Sequence, residues 1–174
     1  SEALKRKFSN KKIYLKNLPT KSTSKTLYNI SEKIRYEKLG TKILQGVGKN
    51  LIENYNHKIN LKRKDQLKSK EDTTITEAFE IYMLKNFLKI KPNTLSEKIL
   101  SFWNDEFKNS FGKHLNYLKD NLENQELYSS KFIEILEEHK LSVELMEIRS
   151  LVSRDEEIIF NSVIKTNRLV VVEQ

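Results

Sequence analysis

Residues 27–51 read LYNISEKIRYEKLGTKILQGVGKNL, and this stretch decides the fold. Apolar residues recur three and four positions apart at its start, which predicts a helix with one apolar face. These residues are Leu27, Ile30 and Ile34. Glu32 and Arg35 are also three residues apart, so their side chains can meet on that helix. The stretch therefore predicts a helix that carries a charged pair beside the face it buries.

Three of the four glycines of the chain fall within this stretch, at Gly40, Gly46 and Gly48. Each costs about 1 kcal/mol of helix propensity relative to alanine, so the cluster needs a structural reason. Gly40 suits a helix end, where a left-handed residue can close the last carbonyls. Gly48 would let another backbone approach closely. It lies on a second apolar stripe, formed by Leu44, Val47, Leu51, Tyr55 and Ile59.

Composition limits the class of protein. The 174 residues suffice for one domain with a buried core. There is no cysteine, which excludes disulfides and thiolate metal sites. No apolar run approaches the roughly 20 residues that span a bilayer, and no signal-peptide pattern is present. We therefore expect a cytoplasmic protein.

Positive charge is concentrated in one part of the chain. Residues 1–70 carry a net charge of +14, and residues 71–174 a net charge of −6. Such asymmetry is typical of chains that bind nucleic acid or an acidic partner. Lysine far outnumbers arginine, however, and arginine is the better reader of phosphates and bases. We therefore favour a solvated or partner-facing basic surface over a nucleic-acid site.

The remaining pattern is mostly helical. Residues 74–77 and 94–97 have capping-box spacing, and residues 78–90 are apolar on all sides, as in a central buried helix. A following helix, ended by Gly112, would bury Leu95, Ile99, Phe102, Trp103 and Phe107, and a break is expected near Asn124. The predicted fold class is therefore all-α: a single-domain helical bundle of about six to eight helices.

The two ends of the chain are less regular. Residues 13–15 suit a short strand or an extended arm, and residues 169–172 are β-branched and strand-like, so the termini could pair in a small sheet. We divide the chain into a basic N-terminal arm (1–23), a helical domain (24–152) and a C-terminal tail of uncertain structure (153–174).

Motifs for metal or nucleotide chemistry are not found in the sequence. His57, His114 and His139 lie far apart, with no H-x-x-x-H or H-E-x-x-H pair, so we predict no metal site. Neither G-x-x-x-x-G-K-[ST] nor G-x-G-x-x-G occurs, so this chain should not hydrolyse ATP. Trp103, with Phe102 and Phe107, could form a partner hot spot, but the helical spacing of these residues favours the core.

Glu32, Arg35 and Glu37 form a charged set with chemical content. One carboxylate, tuned by Arg35, could act as a general acid or base. No nucleophile is nearby, however, and the planar donor fork of arginine suits a bridge between carboxylates. We therefore predict that Arg35 ties carboxylates together at a helix–helix or subunit contact, and we assign no catalytic residue.

The same stretch contains the spacing E-x-x-R-x-E-x-x-G, followed by G-V-x-x-N-L. Both runs resemble the N-terminal region of the CobT-type subunit of aerobic cobaltochelatase. The resemblance continues more weakly downstream and covers roughly residues 20–141 in all, with these two runs as its specific part. The candidate family-motif or partner-interface residues are Glu32, Arg35, Glu37, Gly40, Gly46 and Asn50. Full-length members resemble proteins that end in an acidic linker and a von Willebrand A-type domain. The D-x-S-x-S metal-site motif is absent from this sequence, so the resemblance implies the helical N-terminal domain only.

The resemblance implies a function. It is that of a non-catalytic assembly domain supporting ATP-dependent cobalt insertion into a corrin ring in cobalamin biosynthesis. The implied partners are an AAA+ chelatase subunit and a large tetrapyrrole-binding subunit, with a homo-oligomer also allowed and no membrane contact. ATP, Mg and cobalt would belong to the complex, and no cofactor is expected in this chain. Two alternatives remain: a basic helical nucleic-acid-binding protein, and an adaptor of a related AAA+/von Willebrand A pair outside cobalamin synthesis.

Overall fold

The computed structural model describes residues 2–43, 45–60, 67 and 69–139, and these residues contain helices and no strand. The α-helices are α1 Glu2–Phe8, α2 Lys11–Lys16, α3 Ser22–Ile43, α4 Gln45–Asn60, α5 Ile75–Met83, α6 Thr94–Ser101, α7 Asn104–Phe111, α8 Leu115–Asp120 and α9 Gln125–Glu138. Short 3₁₀ turns form at Lys70–Asp72 and Gly112–His114, and a π-helical turn, Leu84–Leu88, continues α5. The predicted all-α fold class is confirmed.

Helix α3 is the element on which the others pack. It contacts α1, α4, α5 and α9, and Leu27, Tyr28 and Ile34 are fully buried on it. α3 and α4 run antiparallel, because Glu37 of α3 contacts Tyr55 of α4. Gly48 packs against α3 at the other end of this pair, but the contact is of ordinary van der Waals length, so the tight backbone approach predicted there is not required. A Cβ placed on Gly48 would lie 3.4 Å from the Cβ of Thr41 in α3.

The centre of the core is the apolar segment α5 with its π-helical turn, as the sequence predicts. Phe79 is fully buried, and its ring centroid lies 5.2–5.8 Å from three other aromatic rings, those of Phe107, Phe111 and Phe132. Tilted and edge-to-face pairs of this kind each contribute about 0.5–1.5 kcal/mol beyond the area they bury. This cluster holds α5, α7 and α9 together.

The N-terminal residues differ from the prediction, because α1 and α2 are helical. The extended conformation proposed for residues 13–15 is wrong. Asn10 caps α2 by accepting hydrogen bonds from the backbone of Lys12 (2.9 Å) and Ile13 (3.4 Å). This local cap satisfies two free N–H groups and favours the helix over a strand. The proposed pairing of the termini therefore has no strand on its N-terminal side.

Helix boundaries differ from the prediction at three other places. Gly40 does not end a helix, since α3 continues to Ile43. The segment predicted as one helix over residues 95–107 breaks after Ser101, so Trp103 lies half-buried between α6 and α7, against Phe107 in the core. The N-cap of α6 is Asn93 rather than Thr94. The cap predicted at Thr74 and the break predicted near Asn124 are confirmed, and Asn124 itself caps α9.

Several sequence predictions lie outside the described residues. They concern the side chains of Leu44, Val47 and Ile59, and all of residues 140–174. The boundaries of the arm, the helical domain and the tail stay predictions. None of the described helices combines the length and the apolar character needed to cross a bilayer.

Candidate functional site

Arg35 lies at the centre of a buried polar network. Its side chain has 0% exposure. The guanidinium donates two hydrogen bonds to Glu32, from Nε to Oε1 (3.1 Å) and from Nη2 to Oε2 (3.2 Å). It also donates to two backbone carbonyls, from Nη1 to Leu122 (2.9 Å) and from Nη2 to Phe8 (2.8 Å). One side chain thus joins α3 to the end of α1 and to the loop after α8.

Glu32 is 3% exposed, and other donors complete its hydrogen bonds. Gln125 Nε2 donates to Oε2 at 2.9 Å, and Ser129 Oγ donates to Oε1 at 3.0 Å. Both donors belong to α9, so the pair fixes this helix against α3. Ser9 Oγ is a further, longer donor to Oε2 at 3.5 Å. Each carboxylate oxygen therefore has at least one donor besides Arg35, and hydrogen bonds of this charge-assisted kind offset the cost of burying an ion pair.

Tyrosine side chains enclose this network. The ring centroid of Tyr128 lies 5.9 Å from Cζ of Arg35, within the range of a cation–π contact. Its hydroxyl hydrogen-bonds to Ser31 at 2.7 Å. Burial raises the pKa of Tyr128 and of Tyr28 well above the ordinary value. Both phenols therefore stay neutral and add no charge to the ion pair.

Glu37 is held by a different partner. It is 1% exposed, and its Oε2 accepts a hydrogen bond of 2.7 Å from the hydroxyl of Tyr55 in α4. Burial, followed by the hydrogen bond and the charge of Glu37, raises the pKa of Tyr55 far above its ordinary value. The structure therefore divides the predicted set: Arg35 pairs with Glu32, while Glu37 faces the α3–α4 contact. Tyr55 belongs to the apolar stripe predicted for α4. Its hydroxyl group was the feature of the sequence that could have indicated a hydrogen bond to Glu37.

The remaining family-motif residues occupy different environments. Gly40 is buried, and a Cβ placed on it would lie 2.6 Å and 2.7 Å from the two methyl carbons of Leu4 in α1. Gly46 and Asn50 are exposed on α4, and a Cβ on Gly46 would meet no described atom within 4 Å. Glu32, Arg35, Glu37 and Gly40 thus lie inside the fold. Any contact that they support must be made by the surface above them.

That surface contains an open groove of about 1040 Å³. Its described lining comes from the α1–α2 junction, the end of α3 and the start of α9, with Phe8, Ser9 and Gln125 shared with the network below. Lys7 and Lys42 line it together with Glu123 and Glu126, and Ile43 exposes 55% of its surface there. The groove therefore combines charges of both signs with one exposed apolar side chain.

The histidines are less scattered than the sequence suggests. His57 is exposed on α4, but His114 and His139 come together with Glu138 at one end of the bundle. Burial, with the charges of Lys131 and Lys113, lowers the pKa of His114. Residues 114 and 139 are 25 positions apart and lie in different elements, so no sequence spacing could reveal their approach. Sequence reasoning missed this cluster.

Comparison with known proteins gives one family match. A family model described as "Cobalamin biosynthesis protein CobT" matches residues 1–157, which is most of the chain and extends the range of the predicted resemblance. No curated protein and no solved structure matches the chain.

Proposed function

The chain belongs to the CobT family of cobalamin biosynthesis proteins, and from that premise we propose that it is a non-catalytic assembly domain of aerobic cobaltochelatase. The family match over residues 1–157 is the observation that carries this proposal. In the complex implied by the family, an AAA+ subunit hydrolyses ATP and a large subunit holds the tetrapyrrole into which cobalt is inserted. This domain would bind the AAA+ subunit and couple it to the large subunit.

The polar network supports an assembly role over a catalytic one. A general acid or base must reach the atom that it protonates or deprotonates, within about 3 Å or through one water. Glu32, Arg35 and Glu37 are each at most 3% exposed, and their hydrogen bonds are made to other parts of this chain. Their geometry suits a structural role, in which the buried network stabilises the surface that contains the groove.

We place the contact with the AAA+ subunit at the groove. Ile43 offers an apolar anchor of a kind that interfaces bury, and it is surrounded by charged side chains such as Lys7 and Lys42. Two residues that line the groove are held in place by the buried network. Gln125 is hydrogen-bonded to Glu32, and the backbone carbonyl of Phe8 is hydrogen-bonded to Arg35. A pre-ordered surface loses less entropy on binding.

Capture of the purified AAA+ subunit tests the proposal. The unmodified chain should retain it, and Ile43→Asp should weaken retention by at least about tenfold, the effect of a central interface residue. Leu15→Asp is the matched control, because Leu15 is similarly exposed at 53% and does not belong to the described groove lining. Equal retention by both variants would exclude the groove. Failure of the unmodified chain to retain the AAA+ subunit would refute the assembly role itself.

A nucleic-acid-binding function is the second candidate, favoured by the net charge of +14 over residues 1–70. It predicts a gel shift with generic DNA or RNA at low salt that weakens steeply as salt rises, because counterions are released. Arg35 cannot contribute, since it is buried. No shift at low salt would dismiss this candidate. An adaptor outside cobalamin synthesis is the less favoured alternative, because the family match is to cobalamin biosynthesis proteins.

A further inference from the structure

Three metal-ligating side chains converge where α9 ends beside the α7–α8 junction. His114 belongs to the 3₁₀ turn Gly112–His114, and Glu138 and His139 close α9. Oε2 of Glu138 lies 4.0 Å from Nε2 of His114 and 3.9 Å from Nε2 of His139. One ligand atom from each residue lies within 4.8 Å of the other two.

Two imidazole nitrogens of this cluster have no hydrogen-bond partner in the part of the chain that the structure describes. Among the described residues, neither Nε2 of His114 nor Nε2 of His139 has a hydrogen-bond partner, although both atoms are buried. Buried polar groups in folded proteins are bonded as a rule, and an exception needs an explanation. A bound cation between them would supply the missing partner for both.

The geometry points to a site for a divalent late first-row transition-metal ion, such as Zn²⁺, bound by His114, Glu138 and His139. Two imidazoles and one carboxylate are a donor set typical of Zn²⁺ and its neighbours, whereas Mg²⁺ and Ca²⁺ prefer oxygen ligands. Three protein ligands leave one position for water. This proposal does not rest on the assembly function, and either can fail without the other.

The distances require a small contraction. Bond lengths of about 2.0–2.2 Å place the donor atoms of a tetrahedral zinc site about 3.4 Å apart, roughly half an ångström closer than the two His–Glu distances observed. Glu138 can supply this movement, because its side chain is 47% exposed. The ligand atoms of His114 and His139 lie within 4.8 Å of each other, so the two imidazoles must also move closer together when the ion binds.

A neighbouring lysine orients the carboxylate. Lys113 Nζ donates to Oε1 of Glu138 at 3.3 Å, which leaves Oε2 directed to the two histidines. Ligating carboxylates commonly have such an outer partner. The positive charge of Lys113 opposes the cation, but its side chain is 58% exposed, so solvent screens the repulsion. Lys131 is paired with Glu134 at 2.6 Å, so these two charges largely cancel.

Metal titration of the full chain tests the site. Protein stripped with a chelator is titrated with Zn²⁺ in competition with a chromogenic indicator, and Mg²⁺ serves as the control ion. We expect one saturable Zn²⁺ per chain and no competition by Mg²⁺. His114→Ala and His139→Ala should each weaken Zn²⁺ binding by more than about 100-fold, since changes to outer partners alone cost about 10–100-fold.

His57→Ala is the matched control, because it removes a histidine that is exposed on α4 and outside the cluster. Absence of saturable uptake, or an equal loss in His57→Ala, would overturn the proposal. If the cluster variants do not fold, imidazole NMR signals of the unmodified chain decide the matter. Zn²⁺ should shift the signals of His114 and His139 and not that of His57, and the opposite pattern would overturn the proposal.

Discussion

Replacing Arg35 by methionine should destabilise the chain severely. Methionine fills much of the same volume but removes the guanidinium, so Glu32 keeps its buried charge with neutral donors alone, from Gln125, Ser129 and Ser9. Breaking a buried ion pair by removing one partner costs about 3–5 kcal/mol. The backbone carbonyl of Leu122 loses its donor as well, which adds about 1 kcal/mol or more.

We therefore expect a loss of about 5 kcal/mol, a large part of the roughly 5–15 kcal/mol that stabilises a typical domain. For a chain of this length, that corresponds to a melting temperature lower by about 10–20 °C. Urea denaturation followed by far-UV circular dichroism and by the fluorescence of Trp103 measures the change. The two signals report the helices and the core separately.

Two further variants distinguish the stability lost with the buried network from the stability lost on removing any arginine. Arg6→Met removes the guanidinium of an exposed i,i+4 pair with Glu2 and should change stability by less than about 0.5 kcal/mol. Arg35→Met combined with Glu32→Gln should cost about 2 kcal/mol less than the sum of the single changes, because the amide carries no unpaired charge. Arg35→Met with a melting temperature close to that of the original chain would refute this account of the network.

Two other stability predictions follow from the α3 contacts. Tyr55→Phe should cost about 1–3 kcal/mol at neutral pH, because Glu37 loses its buried donor. Folding raises the pKa of Tyr55 above its ordinary value of 10.0, so its contribution is complete below pH 10 and is lost as the pH rises further. Above pH 10 the free energy of unfolding of Tyr55→Phe should therefore fall less steeply than that of the original chain, with a difference in slope of about 1.4 kcal/mol per pH unit. Urea denaturation at a series of pH values measures both slopes, and equal slopes would contradict this prediction. Gly46→Ala should raise the free energy of unfolding by about 1 kcal/mol through helix propensity, whereas Gly40→Ala should not, because the added methyl meets Leu4. Equal gains at both glycines in thermal denaturation would show that Leu4 adapts without cost.

The sequence predicts what is local and periodic in this fold. The three-residue spacing of Glu32 and Arg35 is enough to place them together, and the pair forms as expected. Apolar residues on all sides of segment 78–90 correctly mark the centre of the core. Both features depend only on positions along one helix.

Contacts between distant elements were not predictable in the same way. The carbonyls of Phe8 and Leu122 carry no side-chain signal, yet they determine what Arg35 holds together. The approach of His114 to His139 depends on how α7, α8 and α9 pack. At the N-terminus, the β-branched and aromatic residues at 13–15 favoured the prediction of an extended segment. The cap at Asn10, which stabilises α2, was not recognised.

The hydrogen bonds of Arg35 have a consequence for shortened versions of the protein. They connect residue 8, residues 32–35 and residue 122. The full set of hydrogen bonds can therefore form only when all three parts of the chain have been synthesised and brought together. Contacts between residues so far apart in sequence slow folding, because the intervening loops must close first. Removing the first residues of the basic N-terminal arm, up to Ser9, would therefore remove the backbone carbonyl of Phe8, which accepts a hydrogen bond from Arg35, as well as positive charge from the surface. A fragment that stops before α9 would leave Glu32 without Gln125 and Ser129.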